Sequence, residues 1–313
     1  ELDSTGILSK FEGKTVLVTG ASGYIGTNLV QSLAYLPCEI WRLGRDPKQF
    51  KPIKGEAKIH DIMHPNPSVT ELATNFDVIF HLAANTSEAD ANAAPLHNWQ
   101  VNVMPLLRLL ETCKLAGEHP FIVFAGTATQ CGLDTQPPDR PLSTYALHKL
   151  FGEHYLRLYA HNGWAKGCTL RLANVYGPGP VGGRGMLNRM MRKALDGENL
   201  QVYNGGNYMR NYVFISDVVS AFLYAVNDNC NERAYVIGSK KPHTIFEAFS
   251  IVAKVLHELT GVEISVVSTP HDLPAIEERN FTTIPFCFQY EAHWEPQWTL
   301  EAGIRHTIEW MLK

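Results

Sequence analysis

The sequence predicts an α/β fold, in which a doubly wound parallel sheet is followed by a smaller C-terminal lobe. Three observations predict it: short apolar runs alternate with helical patterns, a glycine-rich turn follows the first run, and glycine-rich loops begin near residue 178. Uninterrupted apolar runs are typical of strands covered on both faces. We therefore expect residues 1–178 to form the sheet domain and residues 179–313 mainly the second lobe, with some elements returning to the sheet. Residues 1–13 are polar without periodicity and are expected to form an arm.

The composition excludes several classes of protein. A length of 313 residues, with 45% hydrophobic and 19% charged residues, is typical of a globular protein with one large domain and a smaller lobe. The net charge of −4 includes no basic block, and no apolar run could span a bilayer, so we expect neither nucleic acid nor a membrane as partner. The six cysteines form no Cys-x-x-Cys pair and the thirteen histidines no ligand cluster, which predicts free thiols, a cytoplasmic protein and no metal.

The glycine-rich turn begins directly after the first apolar run, Val16–Val18. Gly20 allows a tight turn, Gly23 lets the backbone approach a pyrophosphate, and Gly26 lets the following helix pack closely on its strand. The free N–H groups and the positive dipole end of that helix favour an anion. This is the pattern of a Rossmann-type dinucleotide site. The cofactor contacts expected in the turn are Gly20, Ser22, Gly23, Tyr24, Ile25 and Gly26.

The remaining strands are predicted from apolar runs at residues 38–43, 58–62, 77–84, 121–127 and 168–172. The second of the six strands ends at Gly44-Arg45, where an acidic residue would bind the 2′-hydroxyl of an adenosine ribose and an arginine a 2′-phosphate. Arg45 therefore favours NADP, with NAD as the alternative if Arg45 is an ordinary surface charge. The small residues Ala83 and Ala84 end the fourth strand and leave room for the cofactor, while His81 is expected to pack in the core.

A second motif lies in the helix predicted to begin near Ser143. Tyr145 and Lys149 are four residues apart and therefore share a helix face. A phenol has a pKa of about 10, and a neighbouring ammonium together with a positively charged, oxidised nicotinamide lowers it toward neutral pH, where the phenol can exchange its proton. Such a pair also occurs by chance in helices, but this one follows the glycine turn and a strand that ends in the hydroxyl residue Thr127. The three features together predict a catalytic site.

These motifs, in this order, resemble those of the extended short-chain dehydrogenases/reductases, the NAD(P)-dependent epimerase/dehydratase family, of the type that modifies nucleotide sugars. The resemblance covers residues 14–313 and includes the stretches 171–179 and 202–217. It implies that Thr127, Tyr145 and Lys149 are the catalytic residues and that Thr127 contacts the substrate. Tyr145 and Lys149 are also expected to contact the cofactor, Lys149 through a hydrogen bond to the nicotinamide ribose. It also implies that the protein is a homodimer.

The same resemblance implies further ligand contacts. Asp61 and Ile62, at the end of the third strand, are expected to bind the cofactor, with an ordinary turn-forming Asp61 as the alternative. Asn174 and Arg210 are expected to bind the substrate diphosphate, for which a guanidinium fork has suitable geometry. The alternative for Arg210 is a surface arginine paired with a carboxylate.

The resemblance implies an enzyme that acts on a nucleotide-activated sugar. With NADP favoured by Arg45, the expected reaction is NADPH-dependent reduction of a keto group, in which Tyr145 donates the proton and Thr127 orients the carbonyl oxygen. The alternative is an NAD-dependent 4-epimerase, since the same residues serve both reactions. A third interpretation is a non-catalytic NADP-binding sensor. Dehydration is discounted because Ala128 and Thr129 occupy the positions where dehydratases of the family carry acidic residues.

Overall fold

The computed structural model describes residues 4–44, 56–59, 75–131, 141, 143–183, 185–272, 280 and 291–313. The strands in these residues are β1 Thr15–Thr19, β2 Glu39–Gly44, β3 Glu56–Ile59, β4 Val78–His81, β5 Phe121–Thr127, β6 Lys166–Leu172, β7 Asn174–Tyr176, β8 Leu200–Tyr203, β9 Met209–Arg210, β10 Tyr212–Phe214, β11 Ala234–Ile237, β12 His243–Thr244 and β13 Val266–Thr269. The α-helices are α1 Ser4–Phe11, α2 Tyr24–Leu33, α3 Glu88–Ala93, α4 Pro95–Asn102, α5 Met104–Ala116, α6 Thr144–His161, α7 Met186–Leu195, α8 Ile215–Tyr224, α9 Ile245–Thr260 and α10 Leu300–Met311.

Seven of these strands form one sheet in the order β3-β2-β1-β4-β5-β6-β11, and every pair of neighbours is parallel. The predicted doubly wound parallel sheet is therefore confirmed. The strand order reverses between β1 and β4, and in open α/β sheets ligands bind outside the carboxyl ends of the strands at this point. The topology thus places a ligand crevice beside the glycine turn that follows β1.

Helices cover both faces of the sheet. Successive residues of each strand point to opposite faces, so the core consists of two sets of side chains. The side covered by α2 and α8 includes Val16, Val18, Phe80, Val123, Leu170, Leu29, Leu33 and Phe222. The side covered by α5 and α6 includes Leu17, Ile79, Ile122, Phe124, Leu106, Leu110 and Leu156. Both sets are buried, which explains why the strands appear in the sequence as uninterrupted apolar runs.

The N-terminal segment contains α1, so the expectation of an arm over residues 1–13 is wrong. Ile7 and Phe11 are four residues apart, which places them on one helix face, and they are 2% and 0% exposed. The Phe11 ring stacks on Phe80 of β4, with 6.4 Å between the ring centroids. So short a segment shows no clear periodicity in the sequence, yet these side chains anchor it to the sheet.

The rest of the chain combines small sheets with elements of the main one. Parallel pairs join β7 to β10 and β8 to β13, and an antiparallel pair joins β9 to β12. Asp217 in α8 is buried, and its carboxylate accepts hydrogen bonds from the backbone N–H groups of Gln297 and Trp298. These bonds hold the segment before α10 against α8. Within the described part of the chain, no helix is long and apolar enough to cross a membrane.

Candidate active site

The turn between β1 and α2 requires glycine at two positions. Gly20 has a φ of +68°, and a Cβ there would lie 2.8 Å from the backbone nitrogen of Ala83. A Cβ on Gly26 would collide with the carbonyl oxygen of Gly20. The turn therefore packs directly against the loop after β4, and α2 packs directly against the turn. The positive φ of Gly20 and the close packing at Gly26 agree with the tight turn and the helix packing that the glycine spacing predicts, whereas the contact of Gly20 with Ala83 was not predicted.

The N-terminus of α2 is open to a ligand. Its N-cap residue is Gly23, which has no side chain that could cap the helix and which is exposed. The first turn contains no acidic residue. The first N–H groups of a helix have no partner within the helix, and together with the helix dipole they attract an anion. The Gly20–Gly26 turn thus fits the pyrophosphate of a dinucleotide. Ser22 and Ile25 are half-buried beside it.

Tyr24 has a structural contact that the sequence did not indicate. Its hydroxyl donates a hydrogen bond of 2.8 Å to the carbonyl oxygen of Gly177. The same oxygen accepts a bond of 2.7 Å from Nδ2 of the buried Asn188, whose Oδ1 accepts from the Gly177 N–H. The start of α2 is thereby tied to the chain just beyond β7 and to α7.

Thr19, at the end of β1, is a site residue that the sequence analysis missed. Its Oγ1 accepts a hydrogen bond of 3.2 Å from the N–H of Ala83 and lies 3.1 Å from Nδ1 of His81. Thr19 therefore fixes the loop in which Ala83 and Ala84 are half-buried beside the glycine turn. The remaining predicted cofactor residues, Arg45, Asp61 and Ile62, lie outside the described residues.

The structure brings Tyr145 and Lys149 to the carboxyl end of β5. Ser143 begins the helix, since its Oγ accepts a bond of 3.1 Å from the N–H of Ala146, and α6 packs on β5 and on the 3₁₀ turn after it. Lys149 is 2% exposed, and its Nζ donates a hydrogen bond of 2.7 Å to the carbonyl oxygen of Ala125. Tyr145 is 9% exposed. The pair therefore lies near Thr127, the last residue of β5.

Burial dominates the electrostatics of this pair. Burial lowers the pKa of Lys149 to about 7. Burial also raises the pKa of Tyr145 well above its ordinary value, and the negative charge of Glu88 raises it further. The expected lowering of the Tyr145 pKa is therefore absent from this structure, because desolvation outweighs any attraction by the ammonium. Tyr145 carries its proton here and is a hydrogen-bond donor.

His81 packs in the core as expected. It is 2% exposed, and its ring stacks on that of Phe124, with 5.9 Å between the centroids. Burial, and then the neighbouring charge of Lys149, lower the pKa of His81 to about 3, so the imidazole is neutral at physiological pH.

Thr127 is paired with a second hydroxyl. Its Oγ1 lies 3.0 Å from Oγ1 of Thr129 and accepts a hydrogen bond of 3.3 Å from the Thr129 N–H. The sequence analysis considered Thr129 only as a residue that is not acidic, and it missed this contact. The pair presents neutral hydroxyls beside Tyr145, where the dehydratase interpretation would require acids.

Asn174 contacts the residue that follows Arg210 in the chain. Asn174 is exposed, and its Nδ2 donates a bond of 3.2 Å to the carbonyl oxygen of Asn211, the residue after Arg210. Arg210 is only 9% exposed, so it is not the surface arginine of the alternative interpretation. The sequence analysis did not select Asn211, which follows Arg210. Its side chain accepts a hydrogen bond from the N–H of Ser239 and donates one to the carbonyl oxygen of Ser239, and these bonds hold the chain between β9 and β10 in place.

The fold and this site define a class of protein, and comparison with known proteins agrees with it. Residues 16–238 match the NAD dependent epimerase/dehydratase family, and the chain belongs to that family. The predicted family is thus confirmed, and the protein is an enzyme rather than a sensor, since its relatives are enzymes.

Three relatives illustrate the likeness. The chain is 26% identical over 309 residues to a putative UDP-glucose 4-epimerase of Methanocaldococcus jannaschii. The alignment covers 95% of this chain and 98% of that relative. The structure of UDP-glucose 4-epimerase from Thermotoga maritima with UDP-glucose matches with a TM-score of 0.84 at 25% identity, covering 95% and 98% of the two chains. MoeE5 in complex with UDP-glucuronic acid and NAD matches with a TM-score of 0.82 at 26% identity, covering 95% and 99%.

Proposed function

We propose that this protein is an NAD-dependent 4-epimerase of a nucleotide-activated sugar. One observation carries the catalytic part of the proposal, which both candidate reactions share: Thr127, Tyr145 and Lys149 lie together at the carboxyl end of β5, at the edge of the sheet where the glycine turn opens. The likeness to UDP-glucose 4-epimerases supports epimerisation over the simple reduction favoured by Arg45. Similar structures bind NAD, which supports NAD as the cofactor.

Each residue has a defined role in this proposal. Bound NAD would take up and return a hydride at one sugar carbon. Tyr145 would first release its own proton to solvent, because Lys149 on the same helix face and the positive charge of bound NAD would stabilise its phenolate. The phenolate then accepts the hydroxyl proton of that carbon and later returns it. Thr127 holds the sugar oxygen by a hydrogen bond, with its own hydroxyl oriented by Thr129. The N-terminus of α2 binds the cofactor diphosphate.

Asn174 and Arg210 are proposed to bind the diphosphate of the nucleotide sugar. Arg210 is buried and held in place by its bond of 2.9 Å to the carbonyl oxygen of Met209. A guanidinium that is already held in place loses little conformational freedom when it binds a diphosphate, and its planar fork matches the diphosphate oxygens. Similar structures hold UDP-glucose in one case and UDP-glucuronic acid in another, so the nucleotide is proposed to be UDP.

The second candidate is the NADPH-dependent ketoreductase. It is favoured by one observation, that β2 ends at Gly44 and is followed by Arg45 rather than by an acidic residue. The two candidates are separated by incubating the purified protein with UDP-glucose and no added reductant, and by following the sugar by NMR. Conversion to UDP-galactose, with NAD recovered from the denatured protein, supports the epimerase. No conversion, together with oxidation of NADPH by a keto-sugar, would replace it with the reductase.

We also propose that the protein is a homodimer, which forms through the outer face of α6. Leu147, Phe151 and Leu158 lie on this helix and are 39%, 39% and 52% exposed. Large apolar side chains at helical spacing on a surface are typical of an interface. Light scattering should show a dimer that Phe151→Glu converts to a monomer, whereas Tyr35→Ser, at a distant exposed residue, should have no effect.

The cytoplasmic location also stays a proposal. It is supported by four described cysteines that are free thiols.

A further inference from the structure

The loop after β4, residues 82–87, packs directly on the glycine turn and is called the β4 loop below. A Cβ on Gly20 would lie 2.8 Å from the backbone nitrogen of Ala83, and the Ala83 N–H donates a hydrogen bond of 3.2 Å to Oγ1 of Thr19. The position of the β4 loop therefore determines the space beside a dinucleotide bound at the glycine turn.

The far side of the β4 loop is held by Asn102, the last residue of α4. Oδ1 of Asn102 accepts a hydrogen bond of 2.8 Å from the N–H of Asn85, and Nδ2 of Asn102 donates one of 2.9 Å to the carbonyl oxygen of Asn85. One side-chain amide thus satisfies both backbone groups of Asn85. Because a backbone N–H only donates and a carbonyl oxygen only accepts, these two bonds fix which atom of the Asn102 amide is the oxygen.

Asn98 extends this network along α4. It lies four residues before Asn102 on the same helix face, and both side chains are 1% exposed. Nδ2 of Asn102 donates a second hydrogen bond, of 3.1 Å, to Oδ1 of Asn98. Nδ2 of Asn98 is buried and has no hydrogen-bond partner within the described part of the chain. Reversing the Asn98 amide would bring two donors together, so its oxygen faces Asn102 even though an amide N–H is left unpaired.

His148 joins the network from the catalytic helix α6. It directly precedes Lys149, is 7% exposed, and its Nδ1 lies 2.7 Å from Oδ1 of Asn98. Since that oxygen is an acceptor, Nδ1 carries the proton and donates it. The ring of Trp99 packs edge-on against the imidazole, with 5.4 Å between the centroids. A continuous series of hydrogen bonds therefore connects α6 to the β4 loop.

We infer that His148 is a positioning residue for the cofactor, an inference that rests on the dinucleotide binding proposed above. By donating to Asn98, His148 orders the two asparagines and, through Asn102, holds the β4 loop in a fixed position relative to α6. Because α6 carries Tyr145 and Lys149, the same bonds align the cofactor with the residues that exchange the proton. In this role His148 contacts no reacting atom and acts only through the asparagines.

The test compares two substitutions of His148 that have the same branched shape. Asn has an amide nitrogen at the position of the imidazole Nδ1, so His148→Asn keeps a donor toward Asn98, whereas His148→Leu has none. Fluorescence titration should show that His148→Leu binds NAD about fivefold more weakly than His148→Asn, which is the scale of one lost hydrogen bond. The two variants should bind UDP with the same affinity in calorimetric titrations of the NAD-saturated protein, since Asn174 and Arg210 lie outside the network.

Two further variants serve as controls. His161→Leu makes the same substitution at the exposed end of α6, where His161 pairs with Glu232, and it should keep the wild-type affinity for NAD. His148→Gln carries its amide one bond further from the backbone, so its donor no longer meets Asn98. It should bind NAD as weakly as His148→Leu, and it takes the place of that variant if His148→Leu does not fold.

Equal NAD affinities of His148→Asn and His148→Leu would overturn the inference. So would an equal loss of NAD and UDP affinity in His148→Leu, which would indicate a general disturbance of the fold. In both cases the proposed function stands if the wild-type protein binds NAD and UDP. A wild-type protein that binds no dinucleotide overturns the proposed cofactor and the inference together. A wild-type protein that binds NAD but not UDP overturns only the proposed substrate, and the NAD titrations then decide the inference.

Discussion

Lys149 and Glu153 are one helical turn apart on α6 and are both 2% exposed, but their surroundings differ. Glu153 accepts two hydrogen bonds from the guanidinium of Arg171 on β6, one of them 2.9 Å from Nε to Oε2. Lys149 instead donates to the carbonyl oxygen of Ala125, and its Nζ lies 4.7 Å from the centroid of the Phe124 ring. Within the described residues, only the carboxylate has a partner of opposite charge.

This difference separates the two tasks of one helix. A buried carboxylate with a bidentate partner is held in one geometry, so Glu153 anchors α6 to the sheet. A buried ammonium without a carboxylate has a pKa near neutrality, and a small change in its surroundings changes its charge. The turn that contains Lys149 is therefore suited to proton chemistry and destabilises the fold, whereas the next turn stabilises it.

The largest expected effect is on the free energy of unfolding, when the ion pair between Glu153 and Arg171 is broken. Glu153→Ala leaves the guanidinium of Arg171 without its bidentate partner and should lower the free energy of unfolding by about 3–5 kcal/mol. Urea denaturation followed by circular dichroism measures the change. Glu198→Ala, which breaks an exposed pair with Lys193, serves as the matched control and should change stability by less than about 1 kcal/mol. Equal effects of the two variants would remove the distinction drawn between Lys149 and Glu153.

The next effect is on the reaction. Tyr145→Phe keeps the buried ring and removes the exchanging proton, so turnover should fall at least about a hundredfold. Binding of NAD, measured by fluorescence titration, should stay within a few-fold of wild type, since the glycine turn is untouched. Turnover close to that of the wild type would exclude Tyr145 from the mechanism.

Lys149→Met should abolish turnover and stabilise the protein. The pKa of Lys149 falls from 10.5 to about 7 on folding, so the unfolded chain binds more protons between these values. The penalty for burying the ammonium is complete below about pH 7 and disappears as the pH rises toward 10.5. We expect the variant to gain about 4 kcal/mol at pH 7 and about 2 kcal/mol at pH 9, measured by thermal unfolding without cofactor. A gain that does not shrink with pH would contradict a burial penalty.

His81 gives the smallest effect, which is on stability in mild acid. Burial lowers its pKa from 6.5 to about 3, so between these values the unfolded chain binds a proton that the folded chain does not. Stability therefore falls as the pH drops below about 6.5. His81→Gln removes this titration, and the loss between pH 7 and pH 5.5 should be about 1 kcal/mol smaller than in the wild type. Parallel pH profiles for the two proteins would show that His81 contributes nothing to acid lability.

The sequence was sufficient for the doubly wound parallel sheet and for placing Tyr145 and Lys149 on one helix face, because both follow from local patterns of residues. It was not sufficient for α1, whose few apolar residues give no clear period until Ile7 and Phe11 meet the sheet. It also missed Thr19 and Asn211, whose hydrogen bonds join residues distant in the chain. The effect of burial on Tyr145 was not predicted either, since spacing reveals a neighbouring charge but not how deeply the phenol is buried.

The carbonyl of Gly177 has a consequence for how the enzyme moves. Tyr24 and Asn188 both donate to it, so a single oxygen joins the helix of the glycine turn, the end of β7 and α7. This junction lies at the predicted boundary between the sheet domain and the second lobe, where a hinge would need loosely held backbone. Two donors from different elements therefore cross-link the chain at this point. We expect a rotation of one lobe on the other about this boundary to break these bonds, so that closure around a ligand by movement of individual loops would cost less.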